Sequence, residues 1–112
     1  MKRIVTLIAA LTLVAAPAFA VDKKIERLWK AKCGSCHGAD GKGETEKGKK
    51  MKTGDLSTAE WQKQATDEGM LKAINEGVKL EKDGVKKEMD AYNELTDEQK
   101  TGLLTFMRGL KK

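Results

Sequence analysis

Two cysteines and a histidine stand within one short segment, Cys33-Gly34-Ser35-Cys36-His37. The two thiols are separated by two residues, a spacing at which both sulfur atoms can add to the two vinyl groups of one porphyrin. The imidazole that follows directly then lies next to the porphyrin iron and serves as its proximal ligand. The segment therefore predicts one covalently attached haem c, held by Cys33, Cys36 and His37.

The same cysteine spacing occurs in three other kinds of site. A thioredoxin-like redox couple requires a βαβ pattern, which the sequence does not show. A four-ligand zinc site requires a further pair of cysteine or histidine residues, whereas the chain has two cysteines and one histidine. A small-loop disulfide with an incidental histidine is the third alternative. Haem attachment is the preferred interpretation because an independent export signal agrees with it.

That export signal lies at the N-terminus, which has the pattern of a secretory signal peptide. Two basic residues are followed by an apolar run over residues 4–16 and then by Ala18-Phe19-Ala20, which presents small residues at both positions that a signal peptidase recognises. The run is short for a bilayer span. We expect cleavage of residues 1–20, a periplasmic mature protein and no stable membrane anchor. An uncleaved membrane anchor is the alternative.

Residues 21–112 then form one small domain. A domain of this size buries little surface and usually recruits a disulfide, a metal or a cofactor. The chain is 35% charged and 4% aromatic, with a formal net charge of +5. Lysines alternate with acidic residues, and the basic stripe with clustered aromatics that marks nucleic-acid binders is absent. We therefore expect no nucleic-acid partner and a mildly basic surface that suits an acidic redox partner.

Helical patterns account for most of this domain. Four helices are predicted, which begin at Asp22, at a Ser57–Glu60 capping box, at Thr66 and at a Thr96–Gln99 capping box. Residues 38–54 and 78–94 are predicted to be irregular, and no strand pattern is visible. The predicted fold class is all-α, with about four helices and long loops wrapped around one haem.

The residues around the cysteine motif resemble class I cytochromes c, the small monohaem carriers of bacterial respiration and photosynthesis. The resemblance is carried by Leu28 to Gly43, by Asp55 to Ser57, by Ile74 to Gly77 and by Met89 to Leu110, so it covers essentially the whole mature chain. It implies a cytochrome c fold, electron transfer between redox-partner proteins rather than catalysis, and a methionine before the C-terminal helix as the second axial iron ligand. Met89 matches that position.

The four methionines of the mature chain differ in their surroundings. Met70 and Met107 lie on helical apolar stripes, where a methionine is usually core filler. Met51, in a lysine-rich segment, is the rival of Met89, which lies in a charged segment that gives a thioether no evident packing role. In a third interpretation a methionine only covers the haem, and the sixth iron position stays open.

Three positions require comment. Asp90 follows Met89 where many class I members have proline, so the Met89 loop is expected to open more readily. Ile25 stands where the family commonly has a glycine between the first and last helices, so a wider or shifted crossing is expected. Trp61 has two interpretations, a hydrogen bond to a haem propionate or a core residue.

The expected function is that of a soluble periplasmic electron carrier, in which iron ligated by His37 and Met89 has no open position for substrate. Exposed lysines are candidates for a rim that steers an acidic partner, namely Lys30, Lys32, Lys86 and Lys87. Two alternatives are a haem-based sensor, in which Met89 dissociates and a gas binds, and a cytochrome subunit of a dehydrogenase or oxidase.

Overall fold

A computed structural model describes residues 22–110, so the predicted signal peptide lies outside the described residues. The described part contains six helices and a two-stranded sheet. In chain order the elements are α1 (Lys23–Lys32), α2 (Gly34–His37), α3 (Glu46–Met51), α4 (Ala59–Gln64), α5 (Asp67–Glu76), β1 (Val78–Lys82), β2 (Val85–Met89) and α6 (Asp97–Gly109). The prediction of a mostly helical protein is confirmed.

Three predicted helix starts are confirmed by their capping hydrogen bonds. The Asp22 carboxylate accepts a bond from a backbone N–H in the first turn of α1 (3.0 Å), and the Thr66 hydroxyl does the same for α5 (3.0 Å). Thr96 and Gln99 form the predicted reciprocal box at α6 (3.1 and 2.9 Å). Each cap satisfies N–H groups that have no partner inside their helix.

The predicted Ser57–Glu60 capping box is wrong. The hydroxyl of Thr58 caps α4 by accepting a hydrogen bond from the Trp61 backbone N–H (3.2 Å). Ser57 is buried, and its hydroxyl donates to the Asp55 carboxylate instead (2.5 Å). This local bond engages the serine, so the next residue becomes the cap.

Residues 38–54, predicted to be irregular, contain a short helix. α3 is capped by the Thr45 hydroxyl, which accepts a bond from the Gly48 backbone N–H (2.9 Å). Gly48 is buried at the contact of α3 with α2, where a Cβ atom would lie 2.5 Å from the Gly43 carbonyl oxygen and would collide with that of Cys36. The glycine therefore allows α3 to pack directly on the segment that contains both cysteines.

A β-hairpin corrects the expectation that strands are absent and that residues 78–94 are irregular. β1 and β2 pair antiparallel, with Val78 opposite Met89 and Lys82 opposite Val85. The loop consists of Asp83 and Gly84, both with positive φ (53° and 77°). This is the backbone of a two-residue type I′ turn, whose twist matches that of the paired strands.

The core lies between α1, α5 and α6. Its buried apolar side chains are Trp29, Leu56, Met70, Ile74, Leu103 and Met107, so the core positions predicted for Met70 and Met107 are confirmed. The Trp29 ring lies 5.0 Å from that of Phe106 on α6. At the same crossing Ile25 faces Gly102, where a Cβ atom would lie 2.6 Å from the Ile25 Cδ1 atom. The glycine that accommodates Ile25 is therefore on α6 rather than on α1.

The guanidinium group of Arg108 connects α6 to the segment between α4 and α5. It donates to the backbone oxygens of Gln62 (2.7 Å) and Ala65 (2.6 Å) and pairs with the Asp67 carboxylate (3.1 Å). Carbonyl groups at the end of a helix have no partner within it. Arg108 supplies that partner for α4 and so fixes the distance between α4 and α6.

We expect Arg108→Met to lower the free energy of unfolding by about 2 kcal/mol, because the aliphatic stem stays while partly buried carbonyl oxygens lose their donor. Lys100→Met is the matched control, since it removes the same charge from the same helix but none of these bonds, and it should change stability by less than about 0.5 kcal/mol. Urea unfolding of the holoprotein, followed by circular dichroism, measures both. Equal losses of unfolding free energy in the two variants would contradict a specific role for the Arg108 hydrogen bonds.

Candidate haem-binding site

The predicted cofactor-binding segment forms α2, which follows α1 almost without a break. The Cys33 N–H donates to the Trp29 carbonyl oxygen (2.8 Å), and the His37 N–H donates to the Cys33 carbonyl oxygen (3.0 Å). Residues three apart on a helical turn are neighbours on its surface, so Cys33 and Cys36 lie on the same side of this turn. Both side chains are half-buried, and no disulfide joins their sulfur atoms.

His37, the one histidine of the chain, lies against the buried Trp29 with 5.7 Å between ring centroids. Its Nδ1 atom is buried and has no hydrogen-bond partner within residues 22–110. A buried polar atom of this kind is typically met by a ligand or an ordered water. Burial also lowers the pKa of His37. The neutral imidazole is therefore favoured, and that is the form that binds a metal.

The surroundings of Cys33 favour the protonated thiol over the reactive thiolate. Burial raises the pKa of Cys33 to about 11, and the neighbouring Cys36 acts in the same direction. Cysteines of dithiol redox couples have a lowered pKa instead, set by positive charge or a helix N-terminus. The surroundings of Cys33 therefore argue against the thioredoxin-like alternative, whereas they suit a sulfur atom in an uncharged thioether.

The four residues predicted to bind haem border one cavity of about 400 Å³. Cys33, Cys36 and His37 reach it from α1 and α2, and Met89 reaches it from the end of β2. Met89 also packs against the hydrophobic core. Met51, the rival ligand, borders the same cavity from the end of α3. The fold thus brings all the candidate sulfur and nitrogen ligands to one place.

Met89 lies at the end of a strand rather than in the expected loop, and backbone contacts position it. A Cβ atom on Gly77, the residue after α5 with φ 73°, would lie 2.5 Å from the Met89 carbonyl oxygen and 2.9 Å from the Ala91 nitrogen. Just beyond, the Tyr92 N–H donates to the Ile74 carbonyl oxygen (2.6 Å). Met89 is therefore held against the C-terminal end of α5.

Tyr92 connects the Met89 segment to the opposite side of the cavity. Its hydroxyl donates to the Lys32 carbonyl oxygen (3.0 Å), and the Lys32 ammonium group lies 6.0 Å from the centre of its ring. Because Lys32 directly precedes Cys33, this contact joins the two sides of the site. It was not predicted, since no local sequence pattern shows which distant backbone oxygen a tyrosine hydroxyl will meet.

These residues fit a covalently attached haem. They supply two thiols on one helical turn, a buried imidazole with an unpartnered nitrogen atom, and a thioether from another element, all around one cavity. A family model described as cytochrome c matches residues 23–111. The chain belongs to the cytochrome c family. It is a small c-type cytochrome, which binds haem c covalently and transfers electrons through its iron.

Solved structures agree with this assignment. The KustC0563 c-type cytochrome is 33% identical to this chain, with a TM-score of 0.64 and coverage of 78% of this chain and 96% of that one. A tyrosine-to-phenylalanine mutant of that protein is 32% identical, with a TM-score of 0.62 and coverage of 78% and 98%. No curated protein matches the chain. The predicted c-type cytochrome with haem c is confirmed, whereas the roles of single residues stay predictions.

The remaining predicted residues divide between the cavity and the rest of the surface. Lys32 and Lys87 border the cavity. Lys30 instead forms an ion pair along α1 with the carboxylate one turn earlier (3.3 Å), and Lys86 lies opposite a glutamate within the hairpin. Trp61 packs against the hydrophobic core, a position that the core interpretation predicts.

Sequence reasoning missed the contribution of the hairpin to this site. Val78 and Glu88 border the cavity, but they fall in a segment predicted to be irregular. The dipeptide Asp83-Gly84 was the available signal, because this pair is typical of a type I′ hairpin turn between alternating strands.

We expect the double variant Cys33→Ala, Cys36→Ala to be a largely unstructured chain without covalent haem, because haem supplies much of the apolar centre of so small a domain. Ser35→Ala, between the two cysteines, should keep both haem and fold. Haem staining after denaturing electrophoresis and far-UV circular dichroism measure the two properties. A native-like helical spectrum from the double variant would contradict this account.

Proposed function

We propose that this cytochrome is an exported, soluble carrier that shuttles single electrons between redox proteins, with haem iron ligated by His37 and Met89. The observation that carries the proposal is the single cavity bordered by Cys33, Cys36, His37 and Met89. Membership of the cytochrome c family supports electron transfer rather than catalysis.

Each of these residues has one role in the proposal. Cys33 and Cys36 would hold the cofactor through thioether bonds, and His37 and Met89 would bind its iron. The haem c bound there supplies a one-electron couple between iron(III) and iron(II). A histidine–methionine ligand pair raises the reduction potential of a haem. With both side chains bound to the iron, no position would be left there for a substrate.

The contacts of the chain keep both proposed ligands in place. The imidazole of His37 rests on Trp29, which is itself buried in the core. The Met89 backbone rests on Gly77, and Tyr92 ties the same segment to α1. Ligands held by packing and by surrounding hydrogen bonds need little rearrangement when the charge of the iron changes. This rigidity favours fast electron transfer.

The charge around the cavity supports an acidic redox partner. Lys32, Lys47 and Lys87 border the cavity, together with the acidic residues Glu88 and Asp90. Exposed charges at an interface act mainly on the rate of association and on the choice of partner. The excess of lysine therefore favours partners with an acidic docking surface.

A haem-based sensor is the second candidate, and Asp90 favours it. This exposed residue follows Met89 directly, at a position where a proline would restrict the backbone. Without that restriction Met89 is freer to leave the iron and admit a gas. A third candidate is a cytochrome subunit of a dehydrogenase or oxidase, for which a larger protein should copurify in fixed ratio.

Carbon monoxide binding separates these candidates. We expect the reduced protein not to bind carbon monoxide near neutral pH, because Met89 fills the sixth position, and Met89→Ala to bind it rapidly. Met51→Ala is the matched control and should stay unreactive. The Soret absorption of the ferrous protein measures binding. Rapid binding by the unmodified protein would favour the sensor, whereas reactivity of Met51→Ala alone would identify Met51 as the ligand.

Export to the periplasm is proposed from residues 1–20, whose pattern is that of a cleaved signal peptide. The family supports it, because c-type cytochromes are typically exported. In residues 22–110 no helix has both the length and the apolar character needed to cross a membrane.

We expect the mature holoprotein to begin at Val21 and to carry the mass of one haem, because the peptidase recognises the small side chains of Ala18 and Ala20. Ala20→Arg should block cleavage and leave the precursor attached to the membrane. Intact-mass spectrometry of the periplasmic and membrane fractions gives both results. A periplasmic protein that retains residues 1–20 would refute the proposed processing.

A further inference from the structure

The hairpin formed by β1 and β2 has two chemically different faces. Residues directly opposite each other in a sheet lie on the same face, and neighbours along a strand lie on opposite faces. One face therefore carries Val78, Leu80, Lys82, Val85, Lys87 and Met89. We name it the cavity-side face because Val78, Lys87 and Met89 border the haem cavity. The other, named the balanced face, carries Lys79, Glu81, Lys86 and Glu88.

On the balanced face, charge is compensated within the hairpin. Lys79 lies opposite Glu88 and Glu81 lies opposite Lys86, so each lysine faces a carboxylate across the strands. All four residues are exposed, although Glu88 also borders the cavity. Opposite charges placed in this way stabilise a strand pair. The four charged residues of this face therefore serve to stabilise the hairpin.

On the cavity-side face, no lysine lies opposite a carboxylate. Near the turn, Leu80 is 47% exposed, which makes it the most exposed large apolar side chain in residues 22–110. Val85 beside it is half-buried. Lys82 and Lys87 lie on this face, and its six positions include no acidic residue. Leu80 and Val85 thus lie diagonally across this face, and Lys82 and Lys87 occupy the other diagonal, with no carboxylate opposite either lysine across the strands.

We propose that the cavity-side face of the hairpin is a docking arm for an acidic redox protein, in which an apolar patch lies among carboxylates. This inference rests on the proposed electron-carrier function. Protein interfaces combine an apolar centre with a polar rim, and here Leu80 and Val85 form the centre while Lys82 and Lys87 form part of the rim. Because this face continues to the cavity, a partner seated on it also covers the mouth where the haem is held.

The test compares substitutions on the two faces. Lys82→Gln on the cavity-side face and Lys79→Gln on the balanced face remove equal charge, so any effect of net charge is matched. Leu80→Thr removes the apolar group but keeps a residue that favours strands, and Val85→Thr is a second variant of the same kind. Each holoprotein is adsorbed on a gold electrode coated with a mixed monolayer of carboxylate- and methyl-terminated alkanethiols. Cyclic voltammetry gives the rate of electron transfer.

We expect Leu80→Thr and Lys82→Gln each to lower the rate about threefold or more, and Lys79→Gln to change it less than about 1.5-fold. Added salt should abolish the effect of Lys82→Gln but not that of Leu80→Thr, because salt screens charge and leaves apolar contact intact. An unchanged visible spectrum shows that Met89 ligation is preserved in each variant. If Leu80→Thr changes that spectrum, the electron-transfer rate of Val85→Thr is compared in its place.

Three outcomes overturn the docking arm. If Lys82→Gln and Lys79→Gln lower the electron-transfer rate equally, and Leu80→Thr and Val85→Thr do not lower it, general electrostatic attraction alone accounts for binding. A dimer that Leu80→Thr dissociates in sedimentation analysis would show that a second copy of this chain covers the face. Unchanged rates in all variants would show that the hairpin does not dock. In each case a reversible one-electron wave leaves the carrier function standing, whereas its absence from the unmodified holoprotein would refute that function.

Discussion

The buried indole of Trp29 contacts the His37 imidazole, the turn that follows His37 and helix α6, and so positions the histidine side of the candidate site. Its N–H donates to the Gly38 carbonyl oxygen (2.9 Å), directly after the Cys-x-x-Cys-His segment, and its ring contacts both His37 and Phe106. A buried indole needs a partner for its single polar group, so the turn after His37 must close onto α1. The position of the imidazole is therefore set by core packing between α1 and α6.

The Met89 half of the site is held differently. Met89 packs against the hydrophobic core, its strand end rests on Gly77 through backbone contact, and the Tyr92 hydroxyl bond to Lys32 is solvent-exposed. Segments with few buried contacts and exposed hydrogen bonds open at lower free-energy cost than a packed core. The exposed Tyr92–Lys32 bond is therefore expected to open more readily than the packing of His37 on Trp29.

The sequence predicts the parts of this structure that depend on contiguous residues. The segment from Cys33 to His37, which is predicted to attach haem, is contiguous in the sequence, and helix caps are equally local. The α4 cap was mispredicted because Asp55 engages Ser57, so that the choice between two adjacent hydroxyl groups depends on a third residue. The hairpin was missed because Lys82 and Lys87 occupy the face that otherwise carries apolar residues and so interrupt the strand alternation. Contacts across the chain, such as the Tyr92 bond, leave no local pattern.

The register of the hairpin also limits how this part of the chain can vary in length. Lys87, Glu88 and Met89 of β2 border the cavity, and the strand is fixed at its base by Val78 opposite Met89. A single-residue insertion or deletion in β2 turns every following side chain to the other face, which would place a carboxylate where the thioether now lies. Residues can be added or removed without this change of face only at the Asp83-Gly84 turn, and only as complete cross-strand pairs. The register of one small strand thus determines which side chain faces the cavity that is proposed to hold the haem.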